Sequence, residues 1–211
     1  MRIKICGITT VEQGLEIATM GATDLGFICV PNSPRYLNLT QLVTLVSALG
    51  SVANTVGVFA DFSVATIAHV ALLTGLDTVQ LHGTESIEFC QELRQALPDT
   101  EIIKAWRVRT GDDLDTIQAY TPVVDSLLLD AYHPDALGGT GQTLDWQQLL
   151  AFKPAIPWLL AGGLTPDNIC MALSQLQPDG IDLSSGVEVS PGQKNLELVD
   201  RLFANLRSRL G

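Results

Sequence analysis

Polar and apolar residues alternate from Arg2 to Cys6, the period of a β-strand, so Lys4 and Cys6 share one face while Ile3 and Ile5 take the other. Similar short runs, rich in aliphatic and β-branched residues, begin near Asp24, Ala53, Asp77, Glu101, Asp125, Ile156 and Gly180. Between them apolar residues recur at helical spacing: Leu15, Ala18 and Ala22; Leu42, Leu45, Val46 and Leu49; Ile67, Val70 and Ala71; Ile87, Cys90 and Leu97. Thr10, Thr40, Ser63, Thr84 and Thr165 stand where N-caps are expected, with Pro166 at a first helical position. Later helices are predicted over about 112–120, 146–152, 166–176 and 195–209.

Eight βα units at a nearly constant period predict an α/β chain, a single-domain (β/α)8 TIM barrel spanning 1–211. An open doubly wound sheet is the alternative. A barrel gathers its functional residues at the C-terminal ends of its strands, and here those ends carry the distinctive ones. They are Cys6-Gly7, residues 31–36, Asp61, His82-Gly83, Arg107, Asp130, Gly162-Gly163 and Ser184-Ser185-Gly186. The opposite rim carries ordinary turn residues such as Gly21, Gly50, Gly75 and Pro98-Asp99.

Composition narrows the partners. With 46% hydrophobic residues in 211, the chain can bury one large core. A formal charge of -11, from 12 Lys+Arg against 23 Asp+Glu, argues against nucleic acid or an anionic membrane, either of which needs a basic face. A small phosphorylated molecule remains possible, because backbone N–H groups hold an anion without adding charge. The cysteines at 6, 29, 90 and 170 are too far apart for a CxxC pair, and Cys29, Cys90 and Cys170 read as core residues. No signal-peptide pattern and no apolar run of roughly 20 residues stand out. A reduced, soluble, cytoplasmic chain is expected.

Two small-residue turns follow strands 7 and 8: Gly162-Gly163 and Ser184-Ser185-Gly186. Adjacent turns of this kind expose backbone N–H groups to a shared point, which is the recurring phosphate site of barrels. The alternative is that the glycines only tighten turns. The glycine-rich stretch 138–143 lacks the Lys-Ser/Thr ending of a P-loop and reads as a lid. Asp130 ends the apolar run Leu127-Leu128-Leu129, where partial desolvation favours the neutral carboxyl and suits a general acid, although a rim salt bridge would use it equally. Strands 1 and 6 face each other across the mouth, so Cys6 and Asp130 are placed to flank a substrate, as a proton-moving isomerisation requires. His82 on the same rim is as much a candidate for a hydrogen-bonded wall residue as for a catalyst, and is taken as a contact to substrate. Arg35 is the natural carboxylate binder, since a guanidinium forks onto a carboxylate, or else a solvated loop residue. Lys4, pointing inward beneath Cys6, needs a partner, and Asp182 on the neighbouring strand 8 is the expected one. No pair of histidines has metal-ligand spacing, so no metal is expected.

In order along the chain, Lys4-Ile5-Cys6-Gly7-Ile8-Thr9, Ser33-Pro34-Arg35-Tyr36, Val56-Gly57-Val58-Phe59, Val79-Gln80-Leu81-His82-Gly83, Leu128-Leu129-Asp130, Gly138-Gly139-Thr140-Gly141, Ala161-Gly162-Gly163-Leu164 and Asp182-Leu183-Ser184-Ser185-Gly186-Val187-Glu188 resemble the phosphoribosylanthranilate isomerase family. The resemblance implies an isomerase of tryptophan biosynthesis. Its reaction is the Amadori rearrangement of N-(5-phosphoribosyl)anthranilate to 1-(2-carboxyphenylamino)-1-deoxyribulose 5-phosphate, without metal or organic cofactor. It further implies Cys6 as general base, Asp130 as general acid, Arg35 at the anthranilate end, and Gly162, Gly163, Ser185 and Gly186 in the phosphate grip. A monomer or homodimer is expected. Leu144 and Asn195 depart from the family pattern, which bears on loop packing and on the start of the last helix. Two rivals remain. An epimerase or aldolase on this scaffold would need a metal-ligand set or a Schiff-base lysine at a strand end, whereas Lys104 lies inside strand 5 and Lys4 below the rim. A barrel that binds a phosphorylated ligand without converting it would not need Cys6 opposite Asp130.

Overall fold

A computed structural model describes residues 1–108, 112–131 and 146–210. Eight parallel strands close in sequence order: β1 (Arg2–Cys6), β2 (Asp24–Ile28), β3 (Asn54–Phe59), β4 (Thr78–Leu81), β5 (Glu101–Val108), β6 (Ser126–Ala131), β7 (Trp158–Ala161) and β8 (Gly180–Leu183). Lys4 sits level with Asp24 of β2 on one side and Asp182 of β8 on the other, which closes the barrel. The open-sheet alternative is therefore excluded. Around the strands lie α1 (Val11–Met20), α2 (Leu39–Leu49), α3 (Val64–Thr74), α4 (Ile87–Ala96), α5 (Asp112–Gln118), α6 (Ile169–Gln175) and α7 (Leu196–Leu210). None of the described helices is long and apolar enough to cross a membrane.

Two cores result from the period-2 pattern. The larger fills the layer between strands and helices, with Ile5, Leu25, Phe59, Val79 and Ile102 pointing outward onto helix residues such as Ile17, Leu49 and Ile67. The smaller lies inside the barrel, formed by Ile103, Ala105, Leu128, Leu159 and Ala161. Below it the barrel floor is polar. Arg2 of β1 reaches Glu101 of β5 at 2.5 Å and Asp24 of β2 at 2.5 Å. Asn54 bonds Asp24 and Thr78, while Thr78 and Ser126 both donate to Glu101. Every strand from β1 to β6 contributes a side chain to this network.

The strand ends differ slightly from the sequence expectation, for a physical reason. Asp77 and Asp125, expected to open strands, lie just before β4 and β6 and are not pairing residues, and Asp179 stands likewise before β8, which starts at Gly180 as expected. Their carboxylates accept from the backbone N–H of Thr55, Ile102 and Trp158 at the start of the preceding strand, at 2.9, 2.7 and 3.0 Å. Thr23, before β2, accepts in the same way from Ile3 at 2.8 Å. Two caps also move. Asn38 and Gln41 form a capping box for α2 in place of Thr40, and Ser86 caps α4 because Thr84 is engaged by Asp61. Thr10 and Ser63 cap as expected. Over 146–152 only a 3-10 turn, Trp146–Leu149, forms. At 166–176 the helix starts later, at Ile169, because the Thr165 hydroxyl accepts from Asp167 and Asn168 and makes a separate turn. An antiparallel hairpin, β9 (Glu188–Ser190) with β10 (Gln193–Lys194), interrupts the βα pattern after β8. Cys29 and Cys90 are core residues, whereas Cys170 is only partly buried.

Arg2→Met leaves Asp24 and Glu101 without their shared cation in a largely buried floor. A loss of roughly 3 kcal/mol, the low end for breaking a buried pair, is expected by urea denaturation.

Candidate active site

Cys6 ends β1 with its side chain turned into the barrel, 6% exposed. Gly26 of β2 makes room for it, since a Cβ there would lie 2.7 Å from Sγ and 2.9 Å from the Cys6 Cα. Gly7 follows with φ 81°, and both Gly7 and Ile8 donate their N–H to the Gly26 carbonyl, which fixes the turn that leaves the strand. Two residues below, Lys4 is wholly buried and pairs with Asp182 at 3.0 Å, as expected. Burial pushes the Cys6 thiol up, and the Lys4 and Lys194 ammonium groups pull against it.

The Cys6 carbonyl is the meeting point of three elements. It accepts from Lys194 Nζ at 2.5 Å and from Ser184 Oγ at 3.1 Å. Lys194 also donates to Glu188 at 2.7 Å and to the Ser184 carbonyl at 3.3 Å. Glu188 in turn receives a fork from Arg35, Nε to Oε1 at 2.9 Å and Nη2 to Oε2 at 2.5 Å. Arg35 is thus neither a solvated loop residue nor an unengaged binder. Its stem covers Gly7, where any Cβ would come within 2.6 Å of Arg35 Cδ. The fork does not involve Nη1. Although burial acts to raise the Glu188 carboxyl, Arg35 and Lys194 outweigh it and hold the group below the usual range.

On the opposite wall Asp130, in β6, follows Leu128 on the inward face. Its Oδ2 lies 3.4 Å from His82 Nε2, long for a hydrogen bond, and among the described residues Nε2, shielded from solvent, has no hydrogen-bonding partner. His82 Nδ1 faces Gln80 Nε2 at 3.4 Å. The loop holding His82 is tied down on both sides. Glu85 accepts from the N–H groups of Gly83 and Asp61, while Asp61, at φ 58°, accepts from Thr84 N–H and Oγ1. Lys104 lies beneath, donating to Glu85 and to the Gly83 carbonyl, each at 2.8 Å. Lys4, Lys104 and Lys194 are each bound to a carboxylate, so none is poised as a free amine for a Schiff base.

After β7, Gly162 and Gly163 take φ 84° and 64°, a pair of left-handed positions that side chains other than glycine's resist. After β8 a 3-10 turn, Ser185–Val187, begins. The two turns touch. A Cβ on Gly186 would lie 1.9 Å from the Leu164 carbonyl, so Gly186 is needed for turn-to-turn packing as well as for any approach of a ligand. Among the described residues, the N–H groups of Gly163, Ser185 and Gly186 make no hydrogen bond to other backbone. The glycine-rich stretch 138–143 and Leu144 lie outside the described residues. Asn195 suits its place, accepting from the N–H groups of Glu197 and Leu198 at the start of α7.

Sequence reasoning missed Glu188, Lys194 and Gly26. A lysine on a short polar hairpin and a glycine within a strand give no local sign of a role. Only the closure of β1 onto β2 and β8 brings them to Cys6.

A closed barrel whose C-terminal mouth opposes a thiol to a carboxyl, with adjoining glycine turns after β7 and β8, belongs to the class of (β/α)8 enzymes built to handle phosphorylated substrates. Residues 3–205 match the family model described as N-(5'-phosphoribosyl)anthranilate (PRA) isomerase. An N-(5'-phosphoribosyl)anthranilate isomerase of Trichormus variabilis is 58% identical over 209 residues, covering 99% of this chain and 100% of that one. The crystal structure of phosphoribosyl anthranilate isomerase from Thermotoga maritima superposes with a TM-score of 0.89 at 34% identity, over 99% of both chains. A structure of phosphoribosyl anthranilate isomerase in complex with reduced 1-(o-carboxyphenylamino)-1-deoxyribulose 5-phosphate gives 0.85 at 31%, again over 99% of both. The chain belongs to the phosphoribosylanthranilate isomerase family.

Gly26→Ala forces a Cβ into Cys6 Sγ and Cα. It should cost roughly 1–3 kcal/mol on denaturation, whereas Gly75→Ala, whose Cβ meets nothing but whose φ is 74°, should cost less than Gly26→Ala.

Proposed function

We propose that this chain carries out the Amadori rearrangement of N-(5-phosphoribosyl)anthranilate to 1-(2-carboxyphenylamino)-1-deoxyribulose 5-phosphate, the isomerase step of tryptophan biosynthesis, with Cys6 and Asp130 as its base and acid. The observation that carries this reading is the opposition of Cys6 and Asp130 across one barrel mouth in a chain matching the family from end to end. The substrate phosphate binds at Gly162, Gly163, Ser185 and Gly186. Arg35 takes the anthranilate carboxylate through the donors its Glu188 fork leaves available, and His82 lines the sugar pocket beside Asp130.

The reaction is redox-neutral, since C2 of the sugar is oxidised as C1 is reduced, and it calls for no external electron carrier. Asp130 gives its proton to the furanose ring oxygen. The bond from that oxygen to C1 breaks as the anilino nitrogen lone pair forms a C1=N double bond. The Cys6 thiolate then takes the proton from C2, and the electrons released move through C1 to nitrogen, giving an enolamine. Protonation at C1 and loss of the enol proton yield the C2 ketone. The burial that raises the Cys6 thiol makes its thiolate a stronger base once formed.

Residues 1–211 act as one catalytic domain, as a monomer or homodimer in the cytoplasm. The buried thiols of Cys6, Cys29 and Cys90 suit that reducing compartment.

Conversion is followed by the fall in substrate fluorescence. Cys6→Ser and Asp130→Asn should each lower kcat by roughly 10² to 10⁴, the usual loss for a general base or acid, while product binding is retained. Since burial raises the thiol, kcat should climb with pH through neutrality and above it, and that limb should vanish in Cys6→Ser. No conversion by the wild-type protein would overturn the function. Near-normal kcat in either variant would overturn that residue's role.

A further inference from the structure

The charged groups around Cys6 do not balance. Lys4 approaches from its own strand, Lys194 and Glu188 from the β9–β10 hairpin, Arg35 from the loop after β2, and Asp182 from β8. Cys29, beyond β2, is a thiol that burial pushes up to about 12, and it adds no charge at neutral pH. Across the mouth Asp130 and His82 face one another. The cluster on the Cys6 side therefore holds three cations against two carboxylates among the described residues, a surplus of one positive charge. Lys4 and Lys194 have fully buried side chains, and Arg35 is 17% exposed, so water does little to disperse that surplus. A surplus cation in a low-dielectric site favours an anion beside it.

We propose that Lys194 is a positioning residue whose charge, set against Glu188 and delivered to the Cys6 carbonyl, leaves the cluster one anion short and so draws the neighbouring thiol towards thiolate. This rests on the reading of Cys6 as the base. Glu188 acts against that draw while orienting Arg35, so the two hairpin residues have opposite electrostatic effects although they are bonded to each other. The β9–β10 hairpin thereby has a task in the site: it fastens the end of β1 and supplies the net charge there.

Charge counting separates this from a structural role. Lys194→Met reduces the surplus to zero, and Lys194→Met with Glu188→Gln restores it to one. The readout is titration of the Cys6 thiolate by its ultraviolet absorbance, taken as the difference from the same protein carrying Cys6→Ser, in the absence of substrate. Lys194→Met should move the titration about one pH unit more alkaline, and the added Glu188→Gln should bring it back towards wild type. Lys194→Gln loses the charge but keeps a donor for the carbonyls, and should titrate like Lys194→Met if the latter fails to fold. A double variant displaced as far as the single one, or a neutral Lys194 variant titrating with the wild type, would overturn the inference. Because no turnover is involved, these outcomes stand apart from the isomerase assay, whose failure would instead remove the proposed function.

Discussion

The ammonium of Lys194 on the carbonyl of Cys6, 188 positions away in the chain, is the contact on which the arrangement of the mouth depends. A buried ammonium is tolerated only when its donors are used, and here they are spent on Cys6, Ser184 and Glu188. Those three acceptors come from the end of β1, the turn after β8 and the added hairpin. Glu188 passes the constraint on to Arg35 and so to the loop after β2. One charge thus fixes four segments of the rim, and the thiol's position follows from theirs. Gly7 and Gly26 contribute by staying out of the way, the first under the Arg35 stem and the second beside the thiol.

The two ends of the barrel apply the same physics to different ends. On the floor, Arg2, Asp24, Asn54, Thr78, Glu101 and Ser126 satisfy one another across six strands, and the aspartates before β4, β6 and β8 clamp the start of the preceding strand. Between floor and mouth an apolar plug separates the two polar networks. At the mouth, pairing is left uneven. Among the described residues, the Cys6 side carries one cation more than its carboxylates balance, and on the Asp130 side His82 Nε2 and Gln80 Oε1 are buried without hydrogen-bond partners. Buried polar groups left short of partners are costly in a scaffold and are tolerated where a ligand completes them.

Strand order, closure and the rim positions of Cys6, Arg35, His82, Asp130 and the β7 and β8 turns were legible because period-2 runs and small-residue turns are local signals. The Lys4–Asp182 pair was legible once β8 was taken to neighbour β1. What escaped was set by distant partners. Asp125 reads as the opening of a strand, but its carboxylate serves the Ile102 N–H at the start of the preceding strand instead. Thr84 loses the cap of α4 to Ser86 because Asp61 claims it. Nothing local in the sequence gives Lys194 or Glu188 a role, and their burial follows from the hairpin folding back over Gln13 and the end of β1. Arg35 was placed on the right rim, but its occupation by Glu188 depends on residues 153 positions away.

In the proposed reaction one substrate spans the mouth, anchored at both ends so that the sugar lies between thiol and carboxyl. A crystal structure of this protein with reduced 1-(2-carboxyphenylamino)-1-deoxyribulose 5-phosphate tests it most directly. The phosphate is expected on the N–H groups of the β7 and β8 turns, the carboxylate on Arg35 with Glu188 still holding the other edge of the guanidinium, and the C1–C2 bond between Cys6 Sγ and the Asp130 carboxyl. A ligand bound in the reverse sense, or one whose sugar lies away from either Cys6 or Asp130, would contradict it.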